Sequence, residues 1–175
     1  MKVILIIIGA LAAVLAIAWI AGSLLPRDHV ASSRITLEQS PESVWTVVRD
    51  PSALVGVWAD LGEARRVDDP HGREVWAEKV SGFEMRLIME ESTPPFRLVT
   101  RIDAAPGGAF GGRWVYELAP TGPGTTVTVT EEGWVGNPLF RLMSRLGGQH
   151  GNIDGYLTAL GKKVGADVKP EHHSP

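Results

Sequence analysis

The sequence contains no cysteine. That excludes disulfides, thiolate metal sites, a cysteine nucleophile and lipid attachment through a lipobox. It leaves the compartment open, because a disulfide-free domain is stable on either side of a membrane. Positive charge is also in short supply: 17 basic residues stand against 20 acidic ones, with the signs interspersed. A nucleic-acid binder needs a basic face, so that class is excluded. There is no G-x-S-x-G, no H-E-x-x-H and no carboxylate pair spaced for a pocket, so no nucleophile elbow or zinc-protease helix is present. Between Val3 and Leu25 there is no charged residue at all.

What is present is a greasy segment followed by a water-soluble body. The apolar fraction, 44% of 175 residues, is too high for disorder. The length suits one domain with a real core. The run VILIIIGALAAVLAIAWIAGSLL spans 23 residues, against the roughly 20 that a helix needs to cross a bilayer. From Pro26 onward the chain holds every acidic residue and 16 of the 17 basic ones, a net charge of −4. Residues 1–25 are therefore expected to be a transmembrane anchor, with a cleaved signal peptide as the alternative: Ala16, Ala18 and Gly22 offer small residues for cleavage. Lys2 and the free amine lie on one side, and Arg27 on the other is offset by Asp28. The positive-inside rule then puts the N-terminus in and the domain out, a single-pass membrane protein with an extracytoplasmic domain. Residues 26–31 read as a linker, 32–166 as the domain and 167–175 as a polar, frayed tail.

The body opens with a strand over 32–39, where Ile35 and Leu37 alternate with Arg34 and Thr36. Ser40-Pro41-Glu42 is a helix start: an N-cap, a proline at the first position and an acid near the positive dipole end. That helix stops at Asp50-Pro51, and a second short helix is expected over Ser52 to Trp58. Six strands follow, over 63–68, 73–80, 83–92, 96–104, 112–119 and 124–135. The breaks between them are turn chemistry, such as Asp69-Pro70-His71-Gly72, Ser81-Gly82 and Pro106-Gly107-Gly108. Short strands joined by tight turns predict an antiparallel meander. Phe83, Met85, Leu87 and Met89 share one face, as do Phe96, Leu98 and Ile102 and then Trp114, Tyr116 and Leu118, so the sheet should have a greasy side and a wet side.

After Asn137-Pro138 the period changes. Leu139, Met143, Leu146, His150, Ile153, Leu157, Leu160 and Val164 are spaced 4-3-4-3-4-3-4, one stripe of a long amphipathic helix. Gly147, Gly148 and Gly151 weaken its middle and are expected to bend or interrupt it. Only this helix is long enough to cover the greasy side of the sheet.

This order gives an α+β fold: seven curved antiparallel strands gripping a C-terminal helix, two short helices after the first strand, and one N-terminal transmembrane helix. The stretch SRITLEQSPESVWTVVRD, Trp58, and the pair GRWVYELAP and GTTVTVTEE together resemble the START/polyketide cyclase superfamily, the SRPBCC or helix-grip fold shared with birch-pollen-allergen-like proteins. The resemblance covers about residues 29–165. It implies binding of lipids, sterols or polyketides, with cyclisation or dehydration in some members, and it carries no universal catalytic motif.

The expected site is a cavity between sheet and C-terminal helix, lined by Trp58, Phe83, Met85, Leu87, Met89, Leu98, Trp114, Tyr116, Glu131, Met143, Leu146, His150 and Ile153. Met85, Met89 and Met143 fit an adaptable pocket wall, and ordinary core packing predicts the same three. His150 is the polar member of the helical stripe, and the plain alternative is that the glycine break lets it reach solvent or a carbonyl. Glu131 shares parity with Val127 and Val129, and so faces inward unless the strand is ending there. Neither is expected to be a catalytic essential. Gly107 to Gly112 sits between strands rather than before a helix, so it is a hairpin and not a phosphate cradle, with Phe110 as a turn residue. His172-His173 lies in the tail and lacks fixed geometry for a metal. No metal, no cofactor and no catalytic residue is expected. Three functions remain: a membrane-tethered binder of a hydrophobic small molecule or lipid, a polyketide cyclase/dehydratase-like enzyme, or a protein-interaction domain with a filled core.

Overall fold

The computed structural model describes residues 2–105 and 108–173; Pro106 and Gly107 of one expected turn, and Ser174 and Pro175 of the tail, lie outside the described residues. Helix α1 (Lys2–Ser23) is followed after four residues by β1 (Asp28–Leu37). Helix α2 (Pro41–Val48) starts as the sequence dictates: the Ser40 side chain accepts from the Ser43 amide, Pro41 opens the first turn, and Glu42 sits in it. Asp50 then caps a single 3-10 turn, Pro51–Leu54, in place of the longer second helix expected. The strands are β2 (Leu61–Val67), β3 (Val75–Val80), β4 (Phe83–Thr93), β5 (Arg97–Ile102), β6 (Phe110–Thr121) and β7 (Gly124–Val135), then helices α3 (Pro138–Gly147) and α4 (Gly151–Lys163), and finally β8 (Glu171–His173).

All pairings are antiparallel, in the order β2-β3-β4-β5-β6-β7-β1-β8. The curved sheet thus has eight strands rather than seven. The extra one is part of the tail expected to be frayed: Glu171, His172 and His173 pair with Arg34, Ser33 and Ser32. The free edge of β1 supplies unpaired backbone groups, and a short extended tail satisfies them.

The expected single C-terminal helix is two. Gly148 adopts φ +87°, a left-handed conformation that breaks the ladder between α3 and α4. Helix α4 packs on β1, β7 and α2, whereas α3 packs on α1. Contact there is close because α1 is small-sided: a Cβ on Gly22 would fall 2.0 Å from the Pro138 carbonyl oxygen. Ala18, Ala21, Gly22 and Leu25 are the residues of this end that are shielded, and most of the remainder of α1 is exposed. Lys2–Leu24 is long and apolar enough to cross a membrane.

The core lies between the inner face of the sheet and α2, the 3-10 turn and α4. Ile153, Leu157 and Leu160 of α4 are fully buried against Ile35, Leu37, Leu118, Val127 and Val129. The opposite face is not uniformly wet, as alternation alone suggests. Val75, Ile88, Val99 and Val115 are buried there, apart from the main core. Ile88 stands in register between Val75 and Arg101, and long arginine stems cover such apolar positions while keeping their charge in water.

Candidate functional site

The inner face divides into a covered half and an open half. In the covered half four aromatic rings meet between sheet and α4. Tyr156 of α4 contacts Trp58 at 5.8 Å between centroids, Trp114 at 5.8 Å and Tyr116 at 5.4 Å, all edge-on. Trp58 and Trp114 lie 6.3 Å apart. Such edge-to-face sets pack favourably. Gly155 gives the Trp58 indole its place, since a Cβ there would lie 3.0 Å from Nε1. This part of the expected cavity is filled.

Beyond the rings α4 ends its cover, because α3 has swung away to α1. The register continues the inner face outward: Trp76 pairs with Leu87 and Leu87 with Ile102, while Glu78 pairs with Met85. Trp76, Met85, Leu87 and Ile102 are only partly covered. At the rim Phe83 is 59% exposed and meets Phe110 edge-on at 6.4 Å. Phe110 is thus the first residue of β6 and one of a pair across the rim, not a plain turn residue.

Two acids face this interior. Glu78 is buried, and burial alone pushes its carboxyl up to about 7. Desolvation disfavours the charged form, and among the described residues no positive group offsets it. Burial likewise raises the Tyr116 and Tyr156 phenols, with the nearby Glu78 carboxylate adding to both shifts. Glu131 does face inward, and its Oε1 lies 3.1 Å from His29 Nε2. Gly133 leaves the room for that imidazole, as a Cβ there would be 2.5 Å from the ring. The other carboxylate oxygen of Glu131 is buried without a partner among the described residues.

The thirteen expected lining residues therefore separate. Trp58, Leu98, Tyr116 and Ile153 are in the core, with Met89 and Trp114 packed on it. Met85 and Leu87 line the open half, and Phe83 stands at its rim. Met143 and Leu146 are 66% and 80% exposed on α3, since the helix break detaches their half of the stripe from the sheet. His150 opens α4 and faces β1, with Nδ1 3.1 Å from Ser33 Oγ. Sequence reasoning missed Glu78, Tyr156 and His29. Glu78 had a signal: it shares strand parity with Trp76 and Val80. Tyr156 stands beside the stripe, one position before Leu157.

His150, Asp154 and His172 present atoms within 4.8 Å of one another, so β8 gives His172 the fixed position the tail was expected to lack. Ser33 Oγ donates to Asp154 Oδ1 at 2.7 Å, and His172 Nε2 lies 3.0 Å from Asp154 Oδ2. The imidazoles are stacked at 3.8 Å with planes 13° apart. Lone pairs in parallel rings run side by side instead of converging on one ion. The group fits a hydrogen-bonded clasp that fastens β8 to α4 better than a metal centre.

Comparison with known proteins agrees with this architecture. Residues 28–165 match the family described as polyketide cyclase / dehydrase and lipid transport, and the chain belongs to that family, with the SRPBCC/START fold. A START superfamily protein from Mycobacterium smegmatis superposes with a TM-score of 0.61 at 19% identity, over 78% of this chain and 97% of its own. A conserved protein from Geobacillus kaustophilus gives 0.62 at 18% identity, over 83% and 100%. A truncated norcoclaurine synthase from Thalictrum flavum gives 0.59 at 16%, over 78% and 93%. At these identities the likeness is one of fold. A search of the curated proteins finds no match.

Proposed function

We propose that the protein is a membrane-tethered binding domain for a hydrophobic small molecule or lipid. The carrying observation is the open half of the inner face, where Met85, Leu87 and Ile102 lie only partly covered behind the exposed Phe83. Solvent-facing apolar surface of this kind is costly unless something occupies it. The family's description, which includes lipid transport, supports the same reading. The guest would rest beyond the four-ring cluster, with the cluster as its inner wall and the Glu78 carboxyl as a hydrogen-bonding head. Helix α1 supplies the tether: its 22 residues make a rod of about 33 Å, against a hydrocarbon core of about 30 Å. The charges flanking it favour the domain outside.

Native mass spectrometry of the full chain in detergent micelles, after incubation with palmitic acid, tests the binding. One retained guest is expected, and Leu87→Glu should abolish it. Repeated spectra of the bare chain would overturn the reading. A second reading, acid–base catalysis on the bound guest, is favoured by Glu78 alone: a carboxyl near 7 can give and take a proton at neutral pH.

A further inference from the structure

A charged cavity lies at the foot of the anchor. It measures about 250 Å³ and lies among Leu25, Arg27, Asp28, His29, Arg141 and Arg145. Three guanidinium-bearing residues face one carboxylate there. Arg141 is fixed in place, donating from Nη1 to the Leu25 carbonyl and from Nη2 to the Gly136 carbonyl, both at 3.0 Å. Its Nε is buried without a partner among the described residues. Arg27 lies over the Trp134 ring at 4.6 Å.

Helix α3 forms one wall and is two-sided. At 100° per residue, Leu142, Leu146, Leu139, Met143 and Phe140 fall on one side and Ser144, Arg141 and Arg145 on the other. The apolar side is not buried in the domain: Phe140, Met143 and Leu146 are 45%, 66% and 80% exposed. The helix packs on the last turns of α1, where Trp19 marks a position typical of a membrane–water boundary. Geometry therefore sets a short amphipathic helix at the level where headgroups begin, with a cationic hollow behind it.

We infer that α3 lies in the bilayer interface with its apolar side among the acyl chains, and that the arginine hollow holds the headgroup of an anionic phospholipid. This rests on α1 being the membrane anchor. Interfacial helices bind by this combination of buried apolar side chains and attraction to anionic lipid. The occupant is a lipid and not a free anion, because the polar side of α3 and the chain leaving α1 at Leu25 wall the hollow, while the opposite side of the same helix presents Phe140, Met143 and Leu146 for acyl chains.

The test exploits the absence of native cysteine. Met143→Cys, Leu146→Cys, Ala12→Cys and Glu38→Cys in the full chain are each labelled with bimane in nanodiscs carrying a lipid spin-labelled near the headgroup or deep in the acyl chain. Glu38 follows the ten-residue strand β1, about 33 Å from its start. Shallow quenching at 143 and 146, deep quenching at 12 and none at 38 is expected. Quenching at 12 without quenching at 143 and 146 would overturn the inference while leaving the anchor intact. No quenching at 12 would sink the anchor reading, and the inference with it. In parallel, nanodiscs of phosphatidylcholine with and without phosphatidylglycerol are analysed for lipid retained on the ejected protein. Phosphatidylglycerol should be enriched, and Arg27→Gln and Arg145→Gln should each cut the enrichment about fivefold, with circular dichroism unchanged. Equal retention of both lipids, or loss of the enrichment in millimolar inorganic phosphate, refutes the lipid seat.

Discussion

Replacing Glu78 with glutamine should change how stability responds to pH. The folded carboxyl titrates near 7, against 4.5 for an ordinary glutamate. Between these values the folded state holds a proton that the unfolded state has lost. Raising the pH through this window therefore favours unfolding. At about 1.4 kcal/mol per pH unit, the cost is absent below pH 4.5, grows through the window, and levels off near 3 kcal/mol above pH 7. That is a large share of a typical stability of about 5–15 kcal/mol. Glutamine keeps the shape and cannot ionise, so Glu78→Gln should match the parent in acid and exceed it by up to about 3 kcal/mol at pH 8. Urea unfolding of the full chain in dodecyl maltoside, followed by far-ultraviolet circular dichroism from pH 4 to 8, reads this directly. A difference between the two proteins that stays constant across that range would refute the argument.

Other substitutions probe the frame. Gly112 has φ +149°, and a Cβ there would lie 2.5 Å from the Glu132 carbonyl oxygen; Gly112→Ala should cost about 2–4 kcal/mol, read as a lowered thermal midpoint. Arg49 grips both carboxylate oxygens of Glu74, and this pairing is the leading cause that holds the Glu74 carboxyl below its ordinary value. The contribution is present above pH 4.5 and fades as the pH falls, so Arg49→Met should lose about 1 kcal/mol at pH 7, discounted for solvent, and show a flatter acid limb in urea titrations. His172→Ala removes the clasp to Asp154, and amide exchange at Ser32 and Arg34, the β1 partners of β8, should quicken with little change in global stability.

Much of the frame was legible in the residues. Alternation from Phe83 to Met89 places β4, and Ser40-Pro41-Glu42 places α2, because both signals are local. The eighth strand was not legible: three polar residues of the tail become a strand only because β1 offers an edge far away in sequence. The helix break was half legible. The glycines were visible, but an uninterrupted 4-3-4 stripe hides that its first half leaves the sheet for Gly22 of α1. That departure exposes Met143 and Leu146. Charge on a strand suggests solvent, which masks the parity of Glu78 with Trp76 and Val80; the pairing with Met85 puts it inside. Filling by Tyr156 could not be read either, since ring against ring is decided by how helix and sheet meet.

The sheet ends on β2 at one margin and β8 at the other. On the anchored reading, neighbouring copies are confined to a plane and collide far more often than in bulk water. An unguarded strand margin would then recruit a sister molecule into a growing ribbon. The three-residue β8 is too short to template such growth. The β2 margin instead carries Glu63, Arg65 and Arg66, with Glu63 and Arg65 themselves paired in the open. A second β2 could approach only by stripping those charges of water, so crowding on the membrane does not join copies through this edge.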